Sequence, residues 1–167
     1  RPSGQCSLAW RHNLEFPVDK FYLADITNDG RSDILFYGKK HLGVTVMPGR
    51  GDGTFKPGVS ILPEYTFSEL SVAHMSDNGI SHILATSWIS DQLLIFPGFG
   101  KLKFSDPFVI QCSGEPLLFA PAFLDDDINK DLVLVIPSEN ACQTYMGDGL
   151  GGFHLSQTIA VAHHSLD

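Results

Sequence analysis

Short runs of hydrophobic residues, separated by turn-forming residues, make up most of the pattern along the chain. Four such runs in the first part of the sequence are Phe21–Ala24, Ile34–Tyr37, Val44–Met47 and Val59–Leu62. They are bounded by Gly, Pro, Asn and Asp, and they are rich in Val, Ile, Phe and Tyr, a composition typical of short strands. No apolar stripe with a period of about 3.6 residues extends over the ten or so positions that a helix needs. The pattern therefore predicts an all-β protein.

The same pattern recurs at a fixed interval of 49 residues. Phe55, Phe104 and Phe153 each close a glycine-containing turn, and they follow one another at that interval. A second group of segments has the same spacing without gaps: Asp25–Asp33, His74–His82 and Phe123–Asp131. Two separate groups with one period are hard to produce by chance, so we interpret the chain as three copies of one structural unit.

Four short strands in a unit of about 50 residues are typical of a β-propeller blade. We therefore expect one all-β domain, residues 1–167, with three four-stranded antiparallel blades at about 16–64, 65–113 and 114–162 and flanking strands from neighbouring blades. A β-sandwich has no reason to repeat at a fixed interval, and a β-helix coil is normally much shorter. Because propellers close with roughly four to eight blades, the three blades are expected to be part of a larger ring. Further blades would come from the same polypeptide or from another copy of the chain.

The segment DITNDGRSD is the strongest candidate for a functional site. Its oxygen-bearing side chains alternate, and Gly30 allows the sharp turn that points them inward. Calcium prefers about six to eight oxygen ligands at about 2.3 to 2.6 Å, which such a loop can supply. No Glu follows three residues later and no helical flanks are visible, which excludes an EF-hand. The predicted calcium ligands are Asp25, Thr27, Asp29, the carbonyl oxygen of Arg31, and Asp33.

The segments DITNDGRSDILFYG and MPGRGDGTFKPG resemble the VCBS/FG-GAP repeats of integrin-α-like β-propellers. The resemblance extends over essentially the whole chain; it is strong in the first unit, partial in the third and weak in the second. It implies a structural calcium ion in the loop between the first two strands of a blade. It also implies an extracellular surface used for adhesion, recognition or lectin-like binding.

The second unit departs from this pattern. Its loop carries His74, Ser76, Asn78 and His82 where the first unit has Asp25, Thr27, Asp29 and Asp33. Without a carboxylate in that register, calcium is not expected there. Two histidines eight residues apart could hold a transition metal, but a loop closed by ordinary hydrogen bonds is the favoured interpretation.

The third unit retains more of the ligand pattern. Asp125, Asp127, the carbonyl oxygen of Asn129 and Asp131 are the predicted calcium ligands, although Phe123 and Ile128 replace the first carboxylate and the glycine. The loop is therefore expected to be distorted. For all three loops the alternative is a solvated turn capped by Asx hydrogen bonds.

Composition narrows the classes of function. Eleven basic and nineteen acidic residues give a net charge of −8, which argues against nucleic acid because phosphate binding needs a cationic stripe. No apolar run approaches the roughly 18 to 20 residues that span a bilayer, so no membrane insertion is expected. Three cysteines, Cys6, Cys112 and Cys142, have no metal-ligand spacing, and their odd number leaves open which of them, if any, form a disulfide.

Two short signals have simpler explanations than the functions they suggest, whereas one tryptophan is kept as a candidate. The tripeptide Arg50–Asp52 spells an integrin-binding motif, but it lies in the turn that the repeat already requires. His163 and His164 lie near Ser165, yet no nucleophile elbow or oxyanion loop is present, so catalysis is not expected. Trp88 is the best single candidate for a ligand contact on the surface.

The sequence therefore predicts a non-enzymatic, calcium-braced β-propeller scaffold that binds a protein or glycan ligand. It is expected to be secreted, extracellular or the ectodomain of a membrane protein. The alternatives are a structural subunit or domain of a larger assembly and an accessory domain of a secreted hydrolase. The fold alone does not decide among them, because function depends on the site.

Overall fold

The computed structural model describes residues 11, 13–14, 17–38, 40–75, 79–87 and 90–161. In these ranges the chain forms three four-stranded antiparallel sheets, each of which follows chain order. The one helical element among the described residues is a short 3-10 turn at Pro137–Glu139. The expectation of an all-β protein with three four-stranded antiparallel sheets is confirmed. These residues alone form no closed ring.

The strands are short, as their sequence pattern predicts. The first sheet contains β1 (Lys20–Ala24), β2 (Asp33–Gly38), β3 (His41–Met47) and β4 (Val59–Ile61). The second contains β5 (Glu69–His74), β6 (Ser81–Ser87), β7 (Ser90–Phe96) and β8 (Phe108–Gln111). The third contains β9 (Leu118–Ala122), β10 (Asp131–Ile136), β11 (Ala141–Gly147) and β12 (Phe153–Ala160).

Strand register repeats with the same period as the sequence. The first two strands of the three sheets pair at equivalent positions, 49 residues apart: Ala24 with Asp33, Ala73 with His82, and Ala122 with Asp131. Because a one-residue slip would move every side chain to the opposite face, this shared register gives each sheet the same pair of faces.

The core lies between the sheets, in two layers. Leu35, Val44 and Val46 of the first sheet belong to one buried cluster with residues of the second, such as Ile83 and Phe96. The other face of the second sheet packs on the third, where the buried cluster includes Leu84, Leu93, Ile95, Leu132, Leu134 and Ile136. Complete burial of each such aliphatic side chain contributes about 1.5 to 3 kcal/mol, so stacking of the sheets is the main stabilising interaction.

The first strands of the sheets approach one another: β1 contacts β5, and β5 contacts β9. The two outer faces of the stack remain partly apolar. Phe21 is 64% exposed on the first sheet, and Leu118 is 58% exposed on the third. In the described part of the chain there is no helix with the length and hydrophobicity needed to cross a membrane.

A glycine at the end of the third strand of each sheet, or two residues beyond it, is explained by close packing of the backbone. A Cβ atom at Gly49 would collide with the carbonyl oxygen of Ser32, and equivalent collisions would occur at Gly98 with Ser81 and at Gly147 with Lys130. Each glycine also pairs with one of the repeated phenylalanines across a hairpin: Gly49 with Phe55, Gly98 with Phe104, and Gly147 with Phe153. The tripeptide Arg50–Asp52 lies in the first of these hairpin turns, where the Asp52 carboxylate accepts hydrogen bonds from Thr54.

Two of the cysteines lie in described residues, and both have free thiols. Cys112 is buried, and burial raises the pKa of its thiol to about 11. Cys142 is half-buried on the outer face of the third sheet. Cys6 lies outside the described residues, so disulfide formation involving it stays an open expectation.

Candidate functional site

The carboxylate of Asp33 is the structural centre of the first acidic loop. Asp33 begins β2 and is fully buried. Its Oδ2 accepts hydrogen bonds from the backbone N–H groups of Ile26 and Thr27, both at 3.0 Å, and its Oδ1 accepts one from Gly49 at 2.8 Å. A buried carboxylate is costly unless its oxygens are paired. Here it joins the loop before β2 to the hairpin after β3.

The solvent-facing part of the loop is held by hydrogen bonds from its own backbone N–H groups to two of its carboxylates. Asp25 accepts hydrogen bonds from the N–H groups of Asp29 at 3.0 Å and Gly30 at 2.7 Å. Asp29 accepts one from the N–H of Arg31 at 3.1 Å. These are the Asx-type hydrogen bonds that hold a tight polar turn, and they point both carboxylates toward the backbone of the loop.

Thr27 has the one buried side-chain nitrogen or oxygen in the described residues without a hydrogen-bond partner. Its hydroxyl oxygen is inaccessible to solvent, although the residue as a whole is only half-buried. Leaving a buried hydroxyl unpaired costs about 1 to 3 kcal/mol, so this oxygen fits the oxygen donor set that a hard cation requires. Among the same residues no group of three or more Asp, Glu, His or Cys side chains is arranged to hold a metal ion.

Asn28 links the first loop to the second unit, a role that the sequence pattern did not indicate. Its backbone is left-handed, with φ of 59°. Its side-chain Nδ2 donates to the carbonyl oxygen of Gly79 at 2.6 Å, and its Oδ1 accepts from the N–H of Ser81 at 3.2 Å. The Ser81 hydroxyl donates in turn to the carbonyl oxygen of Asp25 at 2.7 Å. The tolerance of Asn for left-handed backbone was the available signal, but its long-range partners were not predictable.

The third loop reproduces the buried carboxylate of the first. Asp131 is fully buried, and its oxygens accept hydrogen bonds from the N–H groups of Leu124 at 2.7 Å and Gly147 at 3.0 Å. The rest of the loop is exposed and closed locally. Asp125 accepts from the N–H of Asp127, and Asp127 accepts from both the backbone and the side chain of Asn129.

The second unit has an imidazole where the other two have a carboxylate. His82 Nδ1 lies 2.9 Å from the carbonyl oxygen of Ile80, only two residues away. Burial lowers the pKa of His82 from its usual value of 6.5; this hydrogen bond opposes the lowering, and the charge of His74 adds to it. His74 is exposed. The predicted loop residues Ser76 and Asn78, and the predicted surface contact Trp88, lie outside the described residues.

Comparison with known proteins identifies a fold but no family. No protein-family model matches the sequence, and no curated protein matches it. A solved structure of a lectin from Agrocybe aegerita, described for specific recognition of non-reducing terminal N-acetylglucosamine, is similar to this chain with a TM-score of 0.64. The two sequences are 22% identical over 84% of this chain, a level at which the likeness concerns the fold alone. The matched region is 37% of the lectin chain, so this chain spans little more than a third of the lectin's length.

Proposed function

We propose that this chain forms part of a non-enzymatic β-propeller that binds glycans through its surface loops. One observation carries the proposal: three equivalent sheets stack face to face with their first strands adjacent, in an arrangement similar to that of a lectin. Sheets that approach through their first strands fit a radial arrangement of blades around an axis. The outer faces of the first and third sheets would then contact further blades, from the same polypeptide or another copy.

A glycan is favoured over a protein as the ligand because the lectin likeness is the only indication of ligand class. The net charge of −8 disfavours acidic polymers, since phosphate and sulfate groups would be repelled. A lectin function fits a secreted or extracellular protein, and we propose that location.

Calcium binding to the acidic loops is the second part of this proposal. The oxygens available in the first loop are those of Asp25, Thr27, Asp29, Asp33 and the carbonyl group of Arg31. The unpaired hydroxyl of Thr27 supports an ion there. In the third loop the corresponding oxygens belong to Asp125, Asp127, Asp131 and the carbonyl group of Asn129. An ion in either loop would stabilise the turn that precedes the buried carboxylate.

A glycan array probed with the full protein tests the ligand proposal. We expect saturable binding to a defined group of terminal sugars, competed by the free sugar and lost after heat denaturation. Binding of equal strength to all glycans, or to none, would contradict a lectin function. A pull-down that instead captures one protein stoichiometrically would favour a protein ligand.

Thermal unfolding with and without a chelator tests the calcium proposal. A ligand that binds only the folded state raises stability by mass action, so calcium should raise the melting temperature. Asp29→Ala should remove most of that increase, and Asp52→Ala, at an exposed carboxylate in a hairpin, is the matched control. Identical melting curves in calcium and in chelator would contradict the site.

A second candidate is a structural domain of a larger assembly. Exposed apolar residues on the outer faces, such as Phe21 and Leu118, favour this function because such surfaces commonly mark interfaces. A molar mass by light scattering that shows the chain in a larger assembly, combined with a glycan array without hits, would support this candidate over the lectin proposal.

A further inference from the structure

A cavity of about 320 Å³ lies between the second and third sheets. Its lining includes Met75, Ile95, Phe99, Phe108 and Phe153. A cavity of about 150 Å³ is sufficient to bind benzene, and ligand pockets begin at about 300 Å³. This space is therefore large enough for a bicyclic aromatic ligand.

The cavity coincides with a local departure from the 49-residue repeat. Between the first and second sheets, Val59 and Leu102 occupy the positions that Phe108 and Gly151 occupy between the second and third. Leu102 packs against the buried cluster between the first and second sheets, which we call the first junction; the second junction lies between the second and third sheets. At the second junction this branched side chain is missing, because the equivalent residue is a glycine.

Gly151 and Phe108 form a complementary pair. Gly151 has φ of 99°, a conformation that favours glycine, and a Cβ atom there would collide with the Phe108 ring. The ring therefore lies against the backbone of the turn and forms part of the cavity wall. Relative to the first pair of sheets, Phe108 replaces Val59 and Gly151 replaces Leu102. The space between the second and third sheets therefore has an aromatic wall and lacks the leucine side chain.

His82 lies on the lining, and its imidazole can offer a ligand a hydrogen-bond acceptor. Its Nδ1 donates to the carbonyl oxygen of Ile80, which leaves Nε2 with a lone pair in the neutral ring. Burial lowers the pKa of His82, so the neutral form predominates at pH 7. Nε2 would pair with a ligand that carries an N–H or O–H group.

Charge on the lining argues for a neutral ligand. Lys130 contributes to the lining, but its ammonium group lies 3.7 Å from the centroid of the Phe123 ring, which is outside the cavity. The described lining has no carboxylate to pair with a cation, and the ammonium of Lys130 is engaged with the Phe123 ring, so neither a cation nor an anion finds a dedicated partner of opposite charge.

We propose that the cavity between the second and third sheets binds a small neutral aromatic molecule that carries one hydrogen-bond donor, of the indole or naphthol type. The ring packs against Phe108 and Phe153, and the donor pairs with His82 Nε2. The site depends neither on calcium nor on the binding of glycans.

Methionine-methyl NMR of the full protein, titrated with 2-naphthol, tests the location of this site. The chain has three methionines, Met47, Met75 and Met146, of which only Met75 lies on the cavity lining. We expect a saturable shift confined to Met75, with a dissociation constant of about 0.1 to 1 mM. No saturable shift, or a shift at Met146 in place of Met75, would overturn the proposal.

Two further comparisons test the recognition chemistry. 2-Methoxynaphthalene has the same rings but no donor, and it should bind about fivefold more weakly, the value of one ordinary hydrogen bond. His82→Phe should remove that difference, and His82→Gln, which retains an acceptor, should preserve part of it. Equal affinities for both naphthalenes in the unmodified protein would exclude the hydrogen bond to His82.

The double variant Phe108→Val with Gly151→Leu installs the residue pair of the first junction and should abolish binding. Leu155→Ala, on the exposed strand β12, is the matched control and should bind as the unmodified protein does. Retention of 2-naphthol affinity in a folded double variant would contradict the proposal. If the double variant does not fold, the Met75 titration of the unmodified protein decides the question alone.

Discussion

The first and third units are each tied together by a buried carboxylate, whereas the second unit has an imidazole at the same position. Asp33 accepts three backbone hydrogen bonds and Asp131 accepts two, from segments on both sides of the second strand. Within the described residues, His82 is hydrogen-bonded to the carbonyl group of Ile80, two residues away in the chain. The difference indicates that the last carboxylate of the acidic loop has a structural function that does not require a metal ion.

The two carboxylates link segments that are far apart in the chain, and the imidazole, in the described part of the chain, does not, so the units should differ in stability when this side chain is removed. The carboxylates of Asp33 and Asp131 each connect a loop before the strand to a glycine sixteen residues later, Gly49 or Gly147. An imidazole in its neutral form has one acceptor nitrogen and cannot accept hydrogen bonds from two segments. The units should therefore respond differently when this side chain is removed, in the order Asp33, Asp131, His82.

Asp33→Ala should have the largest effect. It leaves three backbone donors without their acceptor in a buried site, and we expect a loss of about 3 to 5 kcal/mol in the free energy of unfolding. Denaturant unfolding in the presence of a chelator measures this loss without any contribution from calcium. Asp126→Ala, at an exposed carboxylate in the third loop, should change stability by less than about 0.5 kcal/mol. Equal stability of the two variants would show that Asp33 is not a structural link.

Asp131→Ala should have the second largest effect, about 2 to 4 kcal/mol, because two donors lose their acceptor. The same unfolding experiment gives its value, and Asp131→Asn serves as the isosteric comparison. Since an amide presents a donor where one carboxylate oxygen accepted, the asparagine variant should recover only part of the loss. Full recovery would indicate that shape, and not hydrogen bonding, determines the requirement for Asp131.

His82→Ala should cost about 1 kcal/mol, since it removes one short-range hydrogen bond and part of the packing around the ring. This is the smallest effect in the series. A loss larger than that of Asp131→Ala would reverse the comparison, because it would make the imidazole a stronger link than a carboxylate.

The pH dependence of stability sharpens the comparison at the second unit. Because burial lowers the pKa of His82 below its usual 6.5, the unfolded chain binds the proton more readily than the folded protein. The stabilising contribution of the neutral His82 ring is fully present well above pH 6.5. The free energy of unfolding should fall as the pH drops through 6.5 toward the lower pKa of the folded state. The pKa of His41 is also lowered by burial, so the informative quantity is the difference between the profiles of the unmodified protein and His82→Gln. Parallel profiles between pH 7 and pH 5 would show that His82 titrates normally.

The fold was largely predictable because its determinants are local and repeated. Short apolar runs bounded by turn residues predicted the strands, and the 49-residue interval predicted three equivalent sheets. Gly49 and its equivalents were visible in the pattern, although their cause, contact with a carbonyl oxygen across the loop, appears only in three dimensions.

The functions of the loop side chains were less predictable. A pattern of alternating carboxylates does not reveal whether Asp33 points toward an ion or toward backbone N–H groups, since both environments favour the same residue. The cavity was also hidden, because it depends on the pairing of Phe108 with Gly151, residues 43 positions apart in the sequence. Calcium binding, blade closure and the glycan ligand remain predictions from pattern and likeness.

The contact of Asn28 with Gly79 and Ser81 makes the first loop a joint between two units. Any event that orders this loop also fixes the beginning of the next sheet, so ligand affinity at the loop and cohesion between neighbouring units are thermodynamically linked. If the proposed ion binds at this loop, separation of the first two units would lower its affinity, and its loss would loosen the association of the two units.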